Sequence, residues 1–107
     1  MTSFDQAIEI NERLVEEENK LYTFDLADSL FNKSVSLRQL GQLDEALLYH
    51  EKSITLLRGL LKAKEDADTA GLFASVLDET IEVLKELGYE SKAADRSDEA
   101  DEIRRRF

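Results

Sequence analysis

The chain has no cysteine, no proline and no tryptophan, and only four glycines. Without cysteine there is no disulfide framework and no thiol chemistry. Without proline, and with so little glycine, almost nothing interrupts a helical backbone. No apolar run approaches the roughly 20 residues needed to cross a bilayer, which excludes a membrane span. The start, Met1-Thr2-Ser3-Phe4-Asp5, lacks the basic opening and apolar core of an export signal. The expected compartment is the cytoplasm. Positive charge is also scarce: 14 basic residues against 24 acidic ones leave a net charge of −10. Phosphate backbones repel such a chain, so nucleic acid is excluded as a partner. What remains for the charge is solubility, or attraction to a basic segment of a protein partner.

Catalytic groups are equally thin. The one histidine, His50, lies in Tyr49-His50-Glu51, with no cysteine and no Gly-rich turn to present a nucleophile. A two-metal carboxylate site in a helical bundle needs Glu-x-x-His on two helices. Three residues before His50 stands Leu47, and the Glu16-Glu17-Glu18 run points around its helix as a solvated surface. Gly41 and Gly88 have no glycine neighbours and no following lysine, so they are not phosphate loops. The expectation is a protein that is not an enzyme and binds no cofactor or metal.

The positive content of the sequence is helical. At 107 residues it fits one domain, large enough to bury about 65% of its unfolded surface. Five helices are predicted. The first runs from about Phe4 to Asn19, with Ser3 and Gln6 as a capping box and Phe4, Ala7, Ile8, Leu14 and Val15 as its apolar stripe. A break is predicted near Leu21-Tyr22-Thr23. The second helix covers Asp25 to Leu40, closed by Gly41 as a C-terminal cap. The third spans Asp44 to Lys62, turning Ala46, Leu47, Ile54, Leu57 and Leu61 inward, and a charged connector runs on to Asp68. The fourth, Thr69 to Leu87, ends at Gly88 as the second ends at Gly41. The fifth, Ser91 to Arg106, packs through Ala93, Ala94, Ala100, Ile103 and Phe107. Its closing Arg104-Arg105-Arg106 suits the negative end of the helix dipole.

This pattern repeats. Leu30, Leu37, Leu40, Gly41 and Ala46 return 47 positions on as Leu77, Leu84, Leu87, Gly88 and Ala93. Upstream, Phe4-Asp5-Gln6-Ala7-Ile8 foreshadows Leu43-Asp44-Glu45-Ala46-Leu47 at an offset of 39. Self-similarity at this period indicates stacked helical units, because a lone helix pair cannot bury its apolar face. Small residues at Ser34, Ala46 and Ser53 let two helix axes approach, while Leu30, Leu37 and Leu47 fill the remaining volume.

These residues resemble the tetratricopeptide repeats. The helix pair of that family shows Trp-x2-Leu-Gly-x2-Tyr, then Ala-x3-Phe. This chain has Leu30-x2-Lys33-Ser34-x2-Leu37, then Ala46-x3-His50 with Ser53 beyond. The link Leu40-Gly41-Gln42-Leu43-Asp44-Glu45-Ala46 looks like the family's Leu-Gly-x-x-x-Glu-Ala. Asp25-Leu26-Ala27-Asp28-Ser29-Leu30 looks like the opening of the longer kinesin-light-chain-type repeats. Identity is modest, Arg58 stands where a proline often follows, and His50 takes an aromatic packing position. The resemblance implies an all-α fold of antiparallel helix-turn-helix repeats, about five helices stacked as a short α-solenoid. Its units would be a second-helix half repeat (1–22), a complete repeat (24–62) and a degenerate repeat (69–107).

The resemblance also implies a function: protein binding on a concave helical face. Its stripe on the second predicted helix would be Asp28, Phe31, Val35 and Arg38, with Ser75, Asp78, Glu82 and Lys85 as counterparts on the fourth. That surface would take a partner peptide or helix with basic residues around an apolar anchor. The competing reading makes Phe31 and Val35 core. Because Phe31 and Val35 occupy the central positions where chaperone-binding relatives carry Lys and Asn, a carboxylate clamp is not implied. An alternative function follows from the half repeat, whose Ile8, Ile10 and Val15 lack a covering helix. Either a second copy covers them, giving a homodimer, or the chain belongs to a longer array, or Leu21, Tyr22 and Phe24 fold back as a seal.

Overall fold

The computed structural model describes the backbone of residues 2–107 and the side chains of residues 19–107. It contains four helices: α1 (Thr2–Gln39), α2 (Leu43–Ala63), α3 (Ala67–Glu86) and α4 (Glu90–Arg106). Each packs antiparallel on the next, and α1 also touches α3. The result is two stacked hairpins, α1/α2 and α3/α4.

The main departure from the sequence reading is at the start. The first two predicted helices are one, and no break occurs at Leu21-Tyr22-Thr23. The reason is local: no glycine or proline precedes Gly41, and the Thr23 hydroxyl donates to the Asn19 carbonyl at 2.7 Å, inside the helix. A thinning apolar stripe is not a breaker. Leu21, Tyr22 and Phe24 therefore do not fold back; Leu21 and Tyr22 are exposed and Phe24 packs on the core. The expected capping box at Ser3 and the stripe from Phe4 to Val15 lie outside the described side chains.

Both hairpin turns are built alike. After α1, Gly41 N–H donates to Arg38 O and Gln42 N–H to Leu37 O, both at 2.9 Å. After α3, Gly88 N–H donates to Lys85 O at 3.0 Å and Tyr89 N–H to Leu84 O at 2.8 Å. These are paired Schellman closures, and each needs a left-handed residue. Gly41 (φ 79°) and Gly88 (φ 83°) supply it. Even the residues that follow agree: Gln42 has φ −88°, ψ 71° and Tyr89 φ −91°, ψ 69°. The 47-residue echo in the sequence is thus an echo in backbone geometry. The α2–α3 link is a different device. Lys64 leaves the helix in extended backbone, and the Asp66 carboxylate accepts from the Asp68 N–H and the Thr69 hydroxyl, both at 3.2 Å. That N-cap starts α3 two residues before the predicted Thr69.

The core runs between the hairpins. Ala27, Ile54, Leu57, Leu61, Ala70, Phe73, Val76, Leu77, Ala100 and Ile103 form one buried cluster. Each fully buried Leu, Ile or Phe contributes about 1.5–3 kcal/mol, so this cluster outweighs every surface pair described below. Ser34, Ala46 and Ser53 are buried at the α1–α2 contact as expected, and Leu37, Leu77, Leu84 and Ala93 are buried too. Leu30 and Leu47 are half-buried. Ser53 donates to the Ala27 carbonyl at 2.8 Å, tying the two axes together. Of the packing groups expected on α4, Ala93, Ala100 and Ile103 are buried, whereas Ala94 and Phe107 are exposed. The α4 helix meets the body along one narrow stripe, and those two positions fall off it.

Candidate functional site

The eight positions expected to line one groove separate into three groups. Arg38 reaches from α1 to α3, donating to Glu79 at 2.9 Å and to Glu86 at 2.6 Å. Its pKa is held above the ordinary value, first by the Glu86 carboxylate and then by Glu79 against some desolvation. Phe31 and Val35 share this flank of α1 and are half-buried, Phe31 against the core cluster. Phe31 also packs beside His50 of α2, and because α1 is continuous no separate first helix lies over these two residues. Asp78 points elsewhere: it ion-pairs with Arg104 of α4. Lys85, two turns further along the same flank of α3, is exposed.

The 47-residue rule misassigned this stripe for a geometric reason. On α1 it lies beside α3, whereas on α3 the equivalent stripe includes Asp78, which pairs with Arg104 of α4. The sequence registers this difference. Phe24, Phe31 and Val35 become Gly71, Asp78 and Glu82; Ile54 and Leu57 of α2 become Asp101 and Arg104 of α4. The first hairpin is apolar at these positions, and the second is polar at their equivalents.

The face that α1 and α3 share with solvent is instead defined by Asp25, Asp28, Asn32 and Gln39 on α1 and by Ser75, Glu79, Glu82 and Glu86 on α3. All are exposed except half-buried Glu79, and their three-, four- and seven-residue spacings keep each set on one helical line. Asp28, Ser75 and Glu82 of the expected set belong here. Asp25, Glu79 and Glu86 were missed; a shift of one position along α3 would have found Glu79 and Glu86, and Asp25 lies one turn before Asp28. The face is strongly acidic, with Arg38 its one crossing cation among the described contacts.

On the opposite side, α2 and α4 run parallel without approaching at the backbone. Ion pairs span the gap: Arg96 to Glu51 at 2.7 Å, Arg58 to Glu99 through two nitrogens at 2.9 and 3.0 Å, and Arg106 to Glu65. Beneath them lies a cleft of about 510 Å³ floored by Leu61, Phe73 and Ile103. Its rim holds three cations and three carboxylates, Arg58, Lys62, Arg106, Glu65, Glu99 and Glu102, so no charge preference emerges.

His50 is fully buried between the helices of the first hairpin. Its Nδ1 lies 3.0 Å from the Ser34 hydroxyl, which itself donates to the Phe31 carbonyl at 2.6 Å. Its ring stands 5.9 Å from that of Phe31, the packing position foreseen. Nε2 has no partner. Burial, then the positive charge of Arg38, lowers the pKa to about 4, only partly countered by Glu51. The imidazole is therefore neutral at physiological pH and sealed from solvent, which suits packing rather than proton transfer.

No helix among the described residues is long and apolar enough to cross a membrane. Comparison with family models, with curated proteins and with solved structures finds no match to this chain. What the fold and the surface define is an all-α protein of two antiparallel hairpins.

Proposed function

We propose that this chain is a non-enzymatic protein-interaction module, of tetratricopeptide-like build, that takes a basic segment of a partner protein on the acidic face of α1 and α3. The observation that carries this reading is the position of Arg38. It is held on that face by two carboxylates from another helix, the arrangement an incoming arginine or lysine would reproduce. Asp25, Asp28 and Glu82 extend the same field along the face. Charges so placed steer association and select partners more than they add raw affinity.

The test uses two labelled synthetic peptides of equal length, one presenting leucine with arginine and lysine, the other leucine with glutamate. Fluorescence anisotropy should show the basic peptide binding and weakening as salt rises, with Glu79→Lys/Glu86→Lys abolishing it. Equal binding of both peptides, or indifference to the charge reversal, would overturn the reading.

A further inference from the structure

We propose that the cleft between α2 and α4 is a binding site for a zwitterion with an apolar body, an α-amino acid carrying an aromatic or large aliphatic side chain. Glu102 receives its ammonium group and Lys62 its carboxylate. The cleft lies away from the acidic face, and the proposal does not rest on that reading.

The first ground is register. Two ion pairs fix the alignment of α2 and α4: Arg58 with Glu99 and Glu65 with Arg106, each joining a residue of α2 to the one 41 positions on. Lys62 lies between Arg58 and Glu65 on the same helical face, and Glu102 lies likewise between Glu99 and Arg106. The alignment puts Lys62 level with Ile103, and therefore beside Glu102. Both line the cleft. Yet this middle rung of the ladder is open. Among the described residues neither Lys62 nor Glu102 has a charged partner.

The second ground is charge. The outer rungs neutralise themselves, so the open rung sets what the cleft accepts. A lone carboxylate would meet Lys62 but also Glu102 on the facing wall. A lone amine would meet Glu102 but also Lys62. In each case a like charge stands against the ligand. A molecule carrying both signs a few bonds apart completes the rung and leaves neither wall opposed. The balanced rim of three cations and three carboxylates agrees with a ligand of no net charge.

The third ground is shape. The cleft holds about 510 Å³, within the range of about 300–1,000 Å³ usual for small-molecule sites. Its floor of Leu61, Phe73 and Ile103 belongs to the apolar core. Its α2 wall includes Gly59, which is not in left-handed backbone and has no atom within 4 Å of where a β-carbon would stand. Glycine weakens a helix interior, and neither a turn nor a close contact within the chain calls for it here. What it provides is a recess in the wall, about one turn before Lys62. The apolar side chain of the ligand sits there over the floor, with its charged head at the open rung.

An NMR titration of the full chain with L-phenylalanine should give saturable shifts at Gly59, Lys62, Phe73 and Glu102. Gly59→Phe, which fills the recess, should abolish binding while helicity is kept. L-Phenylalaninamide lacks the carboxylate and N-acetyl-L-phenylalanine lacks the ammonium, so each should bind about threefold or more weakly. In Lys62→Met the free acid and its amide should bind alike. In Glu102→Gln the free amine and its acetylated form should bind alike, since each change removes the group that tells the two probes apart. Shifts that fail to saturate by about 10 mM, or charge-blocked probes that bind as well as L-phenylalanine, would overturn the proposal. So would binding untouched by Gly59→Phe.

Discussion

Ser34 on α1 and His50 on α2 meet 3.0 Å apart in the dry centre of the first hairpin, and the hydroxyl decides the state of the ring. Since Ser34 donates to the Phe31 carbonyl, its oxygen accepts from Nδ1–H. The proton is thus placed on Nδ1, leaving Nε2 as a bare lone pair without a partner. The imidazole acts as a wedge with one polar corner tied off.

That relationship predicts a pH dependence. With the folded pKa near 4 and an unfolded value near 6.5, the unfolded chain binds the extra proton first. Stability is full above about pH 6.5 and falls as pH drops toward 4, by about 3 kcal/mol in all. Urea titrations between pH 7 and 5, before most carboxylates protonate, should show a slope in the native protein that His50→Phe removes. Equal slopes would assign the effect to other groups.

The twin turns predict twin penalties. Gly41→Ala and Gly88→Ala each place a side chain in left-handed backbone with open space around it, so the cost is conformational, about 1–2 kcal/mol at both. Gly59 lies inside α2, with no neighbouring atom within 4 Å of where a β-carbon would stand, and Gly59→Ala should stabilise by about 0.5–1 kcal/mol. Chemical denaturation of the three variants gives opposite signs if the turns are as described.

Ala46 is fully buried where α1 and α2 approach. Ala46→Leu should overpack the hairpin and cost about 1–3 kcal/mol, read as a lower urea midpoint with unchanged slope. Leu48→Ala, an exposed position on the same helix, serves as the control and should change stability by less than about 0.5 kcal/mol.

Arg38 should matter more for recognition than for stability. Its pairs with Glu79 and Glu86 are partly exposed, so Arg38→Gln should cost no more than about 1 kcal/mol. Under the proposed function the same change frees two carboxylates and tightens binding of the basic peptide. Unchanged or weaker binding in an anisotropy titration would count against a basic partner.

The legible parts of this fold were those with punctuation. Gly41 and Gly88, each with a leucine four before and an alanine five after, marked both hairpin turns, and small residues at Ser34, Ala46 and Ser53 marked the close contact. The boundary between the first two predicted helices was illegible because it was inferred from fading amphipathicity, while the backbone responds to breakers and finds none before Gly41. The α3 start was missed because Asp66 looked like one more charge in a connector, although an aspartate three residues before Thr69 is a cap. The groove failed differently. Phe31 and Asp78 hold equivalent positions, yet one packs on the core and the other pairs with Arg104, because the 47-residue echo marks the turns and not what each helix face meets.

The gap between α2 and α4 gives the molecule a compliant direction. Ile54, Leu57 and Leu61 of α2 and Ala100 and Ile103 of α4 share one buried cluster, while arginine–carboxylate links bridge the two helices at the rim. Raising ionic strength weakens those links while leaving each hairpin's dry interior untouched. Salt should therefore loosen the rim first, while the shared apolar floor keeps α4 seated.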